Sequence, residues 1–203
     1  MPSATVQSLG WDALRSAVAG CRACALSETR RQTVFGTGPE DAQWLLIGEA
    51  PGAEEDASGE PFVGQAGRLL DNMLAAIGLS RARDVFIANV LKCRPPRNRD
   101  PQPEEVACCE PFLARQVELL APRVIVVMGR FAAQSVLGTD ASIASLRGRL
   151  HAYRSAQRSI PVVVTYHPAY LLRSLGDKAK AWTDLCLALA AFEDAADASR
   201  GSA

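Results

Sequence analysis

Four short apolar runs stand far apart in the chain, and the segments between them have the residue spacing of amphipathic helices. Each run has the length of a buried strand and is too short for a buried helix. Strands of this kind that alternate with helices form a mostly parallel sheet covered by helices on both faces. The sequence therefore predicts an α/β fold, a three-layer α/β/α sandwich around a four-stranded sheet. The predicted strands are Gln43–Gly48, Asp84–Val90, Arg123–Met128 and Pro161–Thr165.

Helical periodicity supports five segments around these strands. Pro103 suits the first turn of a helix, and Gly78 and Gly138 suit the position just after one. The predicted helices are Ser8–Ala19, Ala66–Ile77, Pro103–Leu120, Phe131–Leu137 and Asp177–Phe192.

The length of 203 residues suits one domain with a substantial core. We find no internal repeat or low-complexity linker, so we expect one domain over residues 1–194 and a disordered tail over 195–203. The chain begins without a basic and apolar leader, and its apolar runs are too short to span a membrane. We therefore expect a cytoplasmic protein that has no membrane partner.

The charges balance, because 22 Lys+Arg and 22 Asp+Glu give a formal net charge of zero. Nucleic-acid-binding domains usually carry an excess of basic residues, so this balance argues against such a function. The charges are nevertheless segregated. Acidic residues concentrate in 40–60 and in the last predicted helix, whereas basic residues concentrate in 92–99 and near Arg147 and Arg173. This distribution is compatible with a one-sided basic surface.

Six cysteines in a reducing compartment are expected to be free thiols or metal ligands. Cys21 and Cys24 form a C-x-x-C pair, Cys93 follows the second strand, and Cys108 and Cys109 lie in the helix that Pro103 begins. This set suggests a four-thiolate site for zinc or an iron–sulfur cluster. The alternative is a group of unrelated buried thiols. The spacing decides neither the metal nor the choice between Cys108 and Cys109, and Cys186 is expected to be a small buried apolar residue.

Polar side chains follow three of the predicted strands, where ligands bind in parallel sheets. A loop rich in glycine and carboxylates follows the first strand and contains Phe62, whose ring could stack on a flat ligand. Asn89 ends the second strand and could read the edge of a nucleobase. His167 follows the fourth strand. The alternatives are a solvated acidic loop, a core Phe62, a turn-capping Asn89 and a structural His167.

The sequence resembles a known family, the iron–sulfur or family 4 uracil-DNA glycosylases of bacteria and archaea. The resemblance covers Cys21 to Leu172, most of the chain. The matching blocks are CRAC, GEAPGAEED, GEPFVGQAGRLLD, NVLKCRPPRNRDP and HPAYLL.

The resemblance implies a structural [4Fe–4S] cluster with no redox role. Its ligands would be Cys21, Cys24, Cys93 and Cys109, because the family pattern keeps fifteen residues between the last two ligands. Cys108 would be a bystander.

The resemblance also implies base excision repair of DNA by a monofunctional glycosylase. The enzyme would flip deoxyuridine out of DNA, hydrolyse its N-glycosidic bond, release uracil and leave an abasic site. His167 would donate a hydrogen bond to uracil O2, Asn89 would read the O4 and N3 edge, and Phe62 would stack on the ring. Backbone amides of the Glu49–Ala50 turn would hold O2 or a phosphate.

The water-positioning carboxylate is expected to be Glu55, with Glu49 as the second choice. Some relatives in the superfamily trap DNA covalently through a histidine in the loop after the second strand. The segment 92–103 contains no histidine, so we expect hydrolytic turnover.

The expected partner is uracil-containing DNA, single- or double-stranded, bound by a monomer associated with the nucleoid. A leucine of the HPAYLL block, Leu171 or Leu172, could wedge into the vacated base stack. The residues expected to contact DNA are Arg94, Arg97, Arg99, Tyr170, Leu171 and Arg173.

Two other classes of function are weaker interpretations of the same residues. One is a metal-stabilised nucleic-acid-binding module without catalysis, which would bind DNA and release no uracil. The other is a nucleotide-dependent enzyme on a Rossmann-like sheet. The sequence has no G-x-G-x-x-G after the first strand and no P-loop lysine, so it does not favour this second class.

Overall fold

A central β-sheet organises the protein in the computed structural model, which describes residues 6–155 and 158–200. Over these residues the sheet has five strands in the order β2-β1-β3-β5-β4. Neighbouring strands are parallel except β4, which pairs antiparallel with β5. The strands are β1 (Trp44–Gly48), β2 (Val85–Asn89), β3 (Val124–Met128), β4 (Leu150–Arg154) and β5 (Ser159–Thr165).

The four predicted strands are confirmed, but the expected number of strands is wrong, because β4 adds a fifth at the sheet edge. The side chains of Leu150–Arg154 alternate between exposed and half-buried. An antiparallel edge strand can face water, so it needs no continuous apolar run. The segment LHAYR consequently carries no strand signal comparable with that of the buried strands.

Helices cover both faces of the sheet and include short ones in the loops. The long helices start and end within a few residues of the predicted bounds, except the last. The helices are α1 (Trp11–Ala19), α2 (Leu26–Thr29), α3 (Ala53–Ser58), α4 (Gln65–Ala76), α5 (Pro103–Leu120), α6 (Arg130–Leu137), α7 (Ile143–Leu146), α8 (Pro168–Leu171) and α9 (Lys178–Arg200), with 3-10 turns at Pro96–Asn98 and Leu175–Asp177.

Alternate residues of each parallel strand enter two separate cores. In β1, Leu45 and Ile47 pack with apolar residues of α1, α5 and α6. Trp44 and Leu46 point the other way and pack with residues of α4 and α9. The predicted three-layer sandwich is therefore the observed architecture.

The C-terminal part of the chain departs from the expectation. Helix α9 continues to Arg200, so residues 195–200 are helical where a disordered tail is predicted, and residues 201–203 lie outside the described part. Cys186 lies on an exposed face of α9, which corrects its expected burial. In the described part of the chain, no helix is both long and apolar enough to cross a membrane.

The strand order fixes where a ligand can bind. Strand β1 lies between β2 and β3, so the chain leaves its carboxyl end towards β2 and later returns to its other side at β3. Such a switch of direction opens a crevice at the carboxyl ends of the strands. Glu49, Asn89 and His167 all follow or end strands at this edge.

An ion pair joins α9 to the loop before β4. The Arg147 Nε atom donates to Asp184 Oδ2 at 2.8 Å. The Asp184 side chain is fully buried and that of Arg147 is 11% exposed. The Arg147 guanidinium also lies 4.5 Å from the ring centroid of Tyr166. This contact ties the last helix to the sheet.

Removing one member of this pair should destabilise the fold. We expect Arg147→Ala to lower the free energy of unfolding by about 3–5 kcal/mol, because it leaves the buried carboxylate of Asp184 without its cation. Urea unfolding measures this effect. The control is Arg149→Ala, which removes an exposed arginine nearby and should cost less than about 1 kcal/mol. Equal losses in the two variants would contradict the role of the pair.

Candidate active site

One cavity of about 470 Å³ opens at the carboxyl edge of the sheet. Its volume lies within the range of small-molecule sites. It brings together every residue predicted to bind or act on uracil, and also Arg99, Tyr170 and Arg173. The predicted residues in its lining are Glu49, Ala50, Glu55, Phe62, Asn89 and His167.

The ring of Phe62 forms one wall of this cavity. It is 5% exposed and stacks on the His167 ring with centroids 5.4 Å apart and an interplanar angle of 28°. Phe62 has a φ of 56°, a left-handed conformation that costs a non-glycine residue about 1–3 kcal/mol. The surrounding structure must hold this backbone in place.

Gly48 makes room for the recognition groups at the end of β1. A Cβ at this position would lie 2.4 Å from Asn89 Oδ1 and 2.7 Å from Phe62 Cζ. Any larger residue would therefore have to displace both side chains.

Asn89 is the last residue of β2 and is 2% exposed. Its backbone carbonyl accepts a hydrogen bond from Lys92 Nζ at 2.8 Å. Its side-chain Oδ1, in contrast, has no hydrogen-bond partner among the described residues. A buried unsatisfied acceptor costs about 1–3 kcal/mol, so its place in a cavity lining indicates a ligand that supplies the donor.

His167 caps α8, and this contact determines which ring nitrogen carries the proton. Its Nδ1 accepts a hydrogen bond from the Ala169 N–H at 3.1 Å. In the neutral ring the proton is therefore on Nε2, which is left as a donor. Burial, helped by the charge of Arg173, lowers the pKa of His167 to about 4. The imidazole is consequently neutral at physiological pH.

The two candidate carboxylates have different surroundings. Glu55 Oε2 accepts a hydrogen bond from the Gly52 N–H at 3.1 Å and so helps to cap α3. Burial raises the pKa of Glu49 to about 7, with a further increase from Asp100 and an opposing effect of Arg130. Glu49 therefore gains or loses its proton near neutral pH.

Sequence reasoning missed the two residues that tune Glu49. Arg130 and Asp100 lie 3.7 Å apart as an exposed ion pair. Asp100 stands inside the block NVLKCRPPRNRDP, and Arg130 begins α6 directly after β3. The position of Arg130 could have been noticed in the sequence, because a charged residue just after a buried strand lies at the edge of the sheet where ligands bind.

The arginines in the basic segment after β2 differ in whether they form hydrogen bonds within the protein. Arg97 is exposed, and both it and Asn98 have a left-handed φ of 55°. Arg94 Nε donates to Asn98 Oδ1 at 2.7 Å, and Arg99 Nη1 donates to Glu105 Oε2 at 2.9 Å.

Lys92, the first basic residue of the segment 92–99, is 1% exposed and so is not part of a basic surface. Its ammonium group donates to Gln116 Oε1 at 2.6 Å in the core.

The two leucines after His167 differ in their exposure. Leu171 is 1% exposed, which corrects the prediction that it contacts DNA, because its side chain is packed inside the fold. Leu172 is 41% exposed. The Tyr170 hydroxyl donates to Asp177 Oδ2 at 2.6 Å, and Arg173 Nη1 donates to the carbonyl of Ala169 at 2.9 Å.

The predicted metal-ligating cysteines lie in one neighbourhood. Cys93 and Cys109 are buried in a small apolar cluster, and Cys24 packs against it. Arg30 donates to Cys93 Sγ at 3.0 Å and to the carbonyl of Cys21 at 2.6 Å, so it links the C-x-x-C segment to the segment that follows β2.

Cys108 differs from Cys109 in burial and contacts. Its Sγ lies 3.4 Å from the carbonyl of Ala23, and the residue is only half-buried. Burial raises the pKa of Cys109 to about 12. Among residues 6–155 and 158–200, no three Cys, His, Asp or Glu side chains are arranged to hold a single metal ion.

The sequence of this chain is similar to those of known proteins. Residues 35–188 match the family model of the uracil DNA glycosylase superfamily. A type-4 uracil-DNA glycosylase of Archaeoglobus fulgidus is 48% identical over 159 residues, which cover 76% of this chain and 79% of that protein. The type-4 enzyme of Thermotoga maritima is 45% identical over 155 residues, with coverage of 76% and 79%.

A type-5 uracil-DNA glycosylase of Thermus thermophilus is less similar, at 33% identity over 153 residues that cover 66% of this chain and 68% of that protein. The family model spans well over half of the chain, and the type-4 relatives match it at higher identity and coverage. The chain therefore belongs to the uracil-DNA glycosylase superfamily and, within it, to the type-4 uracil-DNA glycosylases.

Proposed function

We propose that this protein removes uracil from DNA as the first step of base excision repair. It flips deoxyuridine into the cavity and hydrolyses its N-glycosidic bond, which releases uracil and leaves an abasic site. The observation that carries this proposal is the buried, unpartnered Oδ1 of Asn89, a residue that lines the same cavity as the stacked rings of Phe62 and His167.

Asn89 is suited to select uracil. Its Oδ1 accepts the N3–H of uracil, and its amide N–H donates to O4. Cytosine has a bare N3 and an amino group at C4, so it presents an acceptor where Asn89 needs a donor and a donor where it needs an acceptor. The ring of Phe62 supplies a flat stacking surface for the base.

His167 is suited to stabilise the leaving group. Negative charge builds on uracil as the bond to the sugar breaks, and the Nε2–H of the neutral imidazole donates to O2. The low pKa of His167 means that it acts as a neutral donor and transfers no proton from an imidazolium. Backbone amides of the Glu49–Ala50 turn lie at the same cavity and provide a second place to hold O2 or a phosphate.

Glu49 is the better candidate to position the attacking water. Glu55 lines the same cavity, but its carboxylate is engaged by the Gly52 N–H. Glu49 also lines the cavity, and its pKa is near the working pH, where a general base is most effective. This reverses the order that the sequence suggested.

The cysteine neighbourhood fits a [4Fe–4S] cluster held by Cys21, Cys24, Cys93 and Cys109. Buried thiols with raised pKa values need a cationic partner to become thiolates, and four sulfur donors suit iron. Four thiolates would also suit zinc, so metal analysis distinguishes the two. When bound, the cluster cross-links three segments of the chain and supplies no step of the hydrolysis.

The DNA strand is proposed to follow residues at and beside the mouth of the cavity. Of the two leucines that could act as the wedge, Leu172 is the better candidate because it is the exposed one. We propose a monomer that acts on single- or double-stranded DNA in the cytoplasm, at the nucleoid. The residues that would contact the strand are Arg94, Arg97, Arg99, Tyr170 and Arg173.

The direct test uses purified protein and a single-stranded oligonucleotide that contains one uracil. Alkali cleavage at the uracil position reports abasic sites. A protein that binds this DNA but produces no abasic sites would be a nucleic-acid-binding module, and the proposed function would be wrong.

Removal of the Asn89 amide should impair uracil recognition. We expect Asn89→Ala to lower kcat/KM on uracil DNA by about 10- to 100-fold, because the hydrogen bonds to the base edge are lost. A time course of alkali-sensitive sites measures the change. Asn72→Ala, on a helix away from the predicted base contacts, is the matched control. A wild-type rate for Asn89→Ala would rule out its role in recognition.

The reaction rate should increase with pH through the titration of Glu49. Glu49 is protonated below its pKa of about 7 and is a carboxylate above it, so the single-turnover rate should rise with a midpoint near 7. In Glu49→Gln the rate should be low and flat over this range. Glu55→Gln should keep the midpoint. If the profile flattens in Glu55→Gln instead, Glu55 is the water-positioning residue.

The cluster ligands can be tested by metal analysis. We expect about four iron atoms per chain and a broad visible absorbance in the wild type. Cys109→Ser should lose both, because it removes a buried ligand, whereas Cys108→Ser should keep both. A colourless wild-type protein that contains zinc would contradict the assignment.

A further inference from the structure

The side chain of Arg81 bridges three groups around the base-stacking residue. Its Nη1 donates to the carbonyl of Pro61 and its Nη2 to the carbonyl of Phe62, both at 2.8 Å. Its Nε donates to Asp71 Oδ1, also at 2.8 Å. The Arg81 side chain is 23% exposed and lies outside the lining of the cavity.

The two carbonyls belong to the two peptide planes that flank the Cα of Phe62. The Pro61 carbonyl lies in the plane before this atom, and the Phe62 carbonyl lies in the plane after it. Fixing both planes fixes the direction of the Cα–Cβ bond, from which the ring extends towards the cavity. Phe62 needs such support, because its φ of 56° is unfavourable for a side chain.

Helix α4 also packs closely against the Phe62 carbonyl. Gly67 lies so close to Phe62 that an added Cβ would stand 1.7 Å from the Phe62 oxygen. Asp71, the third partner of Arg81, lies one turn further along this helix. Arg81 therefore joins α4 to the Phe62 backbone as one unit.

We propose that Arg81 is a positioning residue for uracil, which orients the Phe62 ring through its two carbonyl contacts without touching the base. This inference rests on the proposed function, since it assigns Phe62 the stacking role. The planar fork of an arginine reaches two carbonyls and a carboxylate at once. A lysine ammonium is a point charge that cannot reproduce this geometry.

The experiment compares Arg81→Ala with Arg83→Ala. Arg83 is a matched control because it lies two residues away, its side chain is 72% exposed, and its ion pair in the described part of the chain is with the adjacent Asp84. We expect Arg81→Ala to lower kcat/KM on single-stranded uracil DNA by about 10- to 100-fold, because the stacking ring is misplaced. Inhibition by free uracil should weaken in the same variant, and Arg83→Ala should match the wild type.

Two further measurements separate positioning from general loss of structure. Affinity for DNA that carries an abasic site should be the same in Arg81→Ala and the wild type, because this DNA has no base to stack. In a Phe62→Ala background, Arg81→Ala should have no additional effect on the rate. Arg81→Lys keeps a positive charge near Asp71 and should still lose most of the rate. This variant provides the test if Arg81→Ala does not fold.

The outcomes are distinguishable from those that test the proposed function. A wild type that releases no uracil overturns the proposed function and this inference with it. If the wild type is active, and both Arg81→Lys and Arg81→Ala cleave as fast as Arg83→Ala, the inference is overturned and the proposed function stands. A parallel loss of abasic-site binding in Arg81→Ala also overturns it, because Arg81 would then support the fold in general.

Discussion

The parallel register of the central sheet is the constraint on which the rest of the molecule depends. Gly48 pairs with Asn89 across β1 and β2, and Met128 pairs with Thr165 across β3 and β5. These pairings bring the carboxyl ends of the strands to one edge, so residues distant in sequence line one cavity. A shift of one residue in a strand would turn its side chains to the opposite face and separate them.

Burial at this edge has a different chemical result for each group, although its physical cause is the same. Removal from water disfavours a charged form, so it lowers the pKa of His167 and raises that of Glu49. For Asn89, which has no charge to lose, burial instead leaves an acceptor without a partner. A neutral donor, a titrating carboxylate and a vacant acceptor thus arise together from one desolvated edge.

The strands and the strand-end residues could be predicted because both depend on local signals. Buried parallel strands are continuous apolar runs, and polar residues that follow them meet at one edge. Packing of side chains across the chain carries no such signal. The sequence therefore did not reveal that Leu171 and Lys92 are buried, that β4 pairs at the edge, or that Glu55 is engaged by Gly52.

The absence of a side chain at Gly48 has a consequence for how base selection can vary. The space at its Cα is shared between the ring of Phe62 and the amide of Asn89. Any bulk introduced there would disturb the stacking surface and the hydrogen-bonding edge at the same time. The shape and the polarity of the pocket are thus mechanically coupled, and a change at this position cannot adjust one while sparing the other.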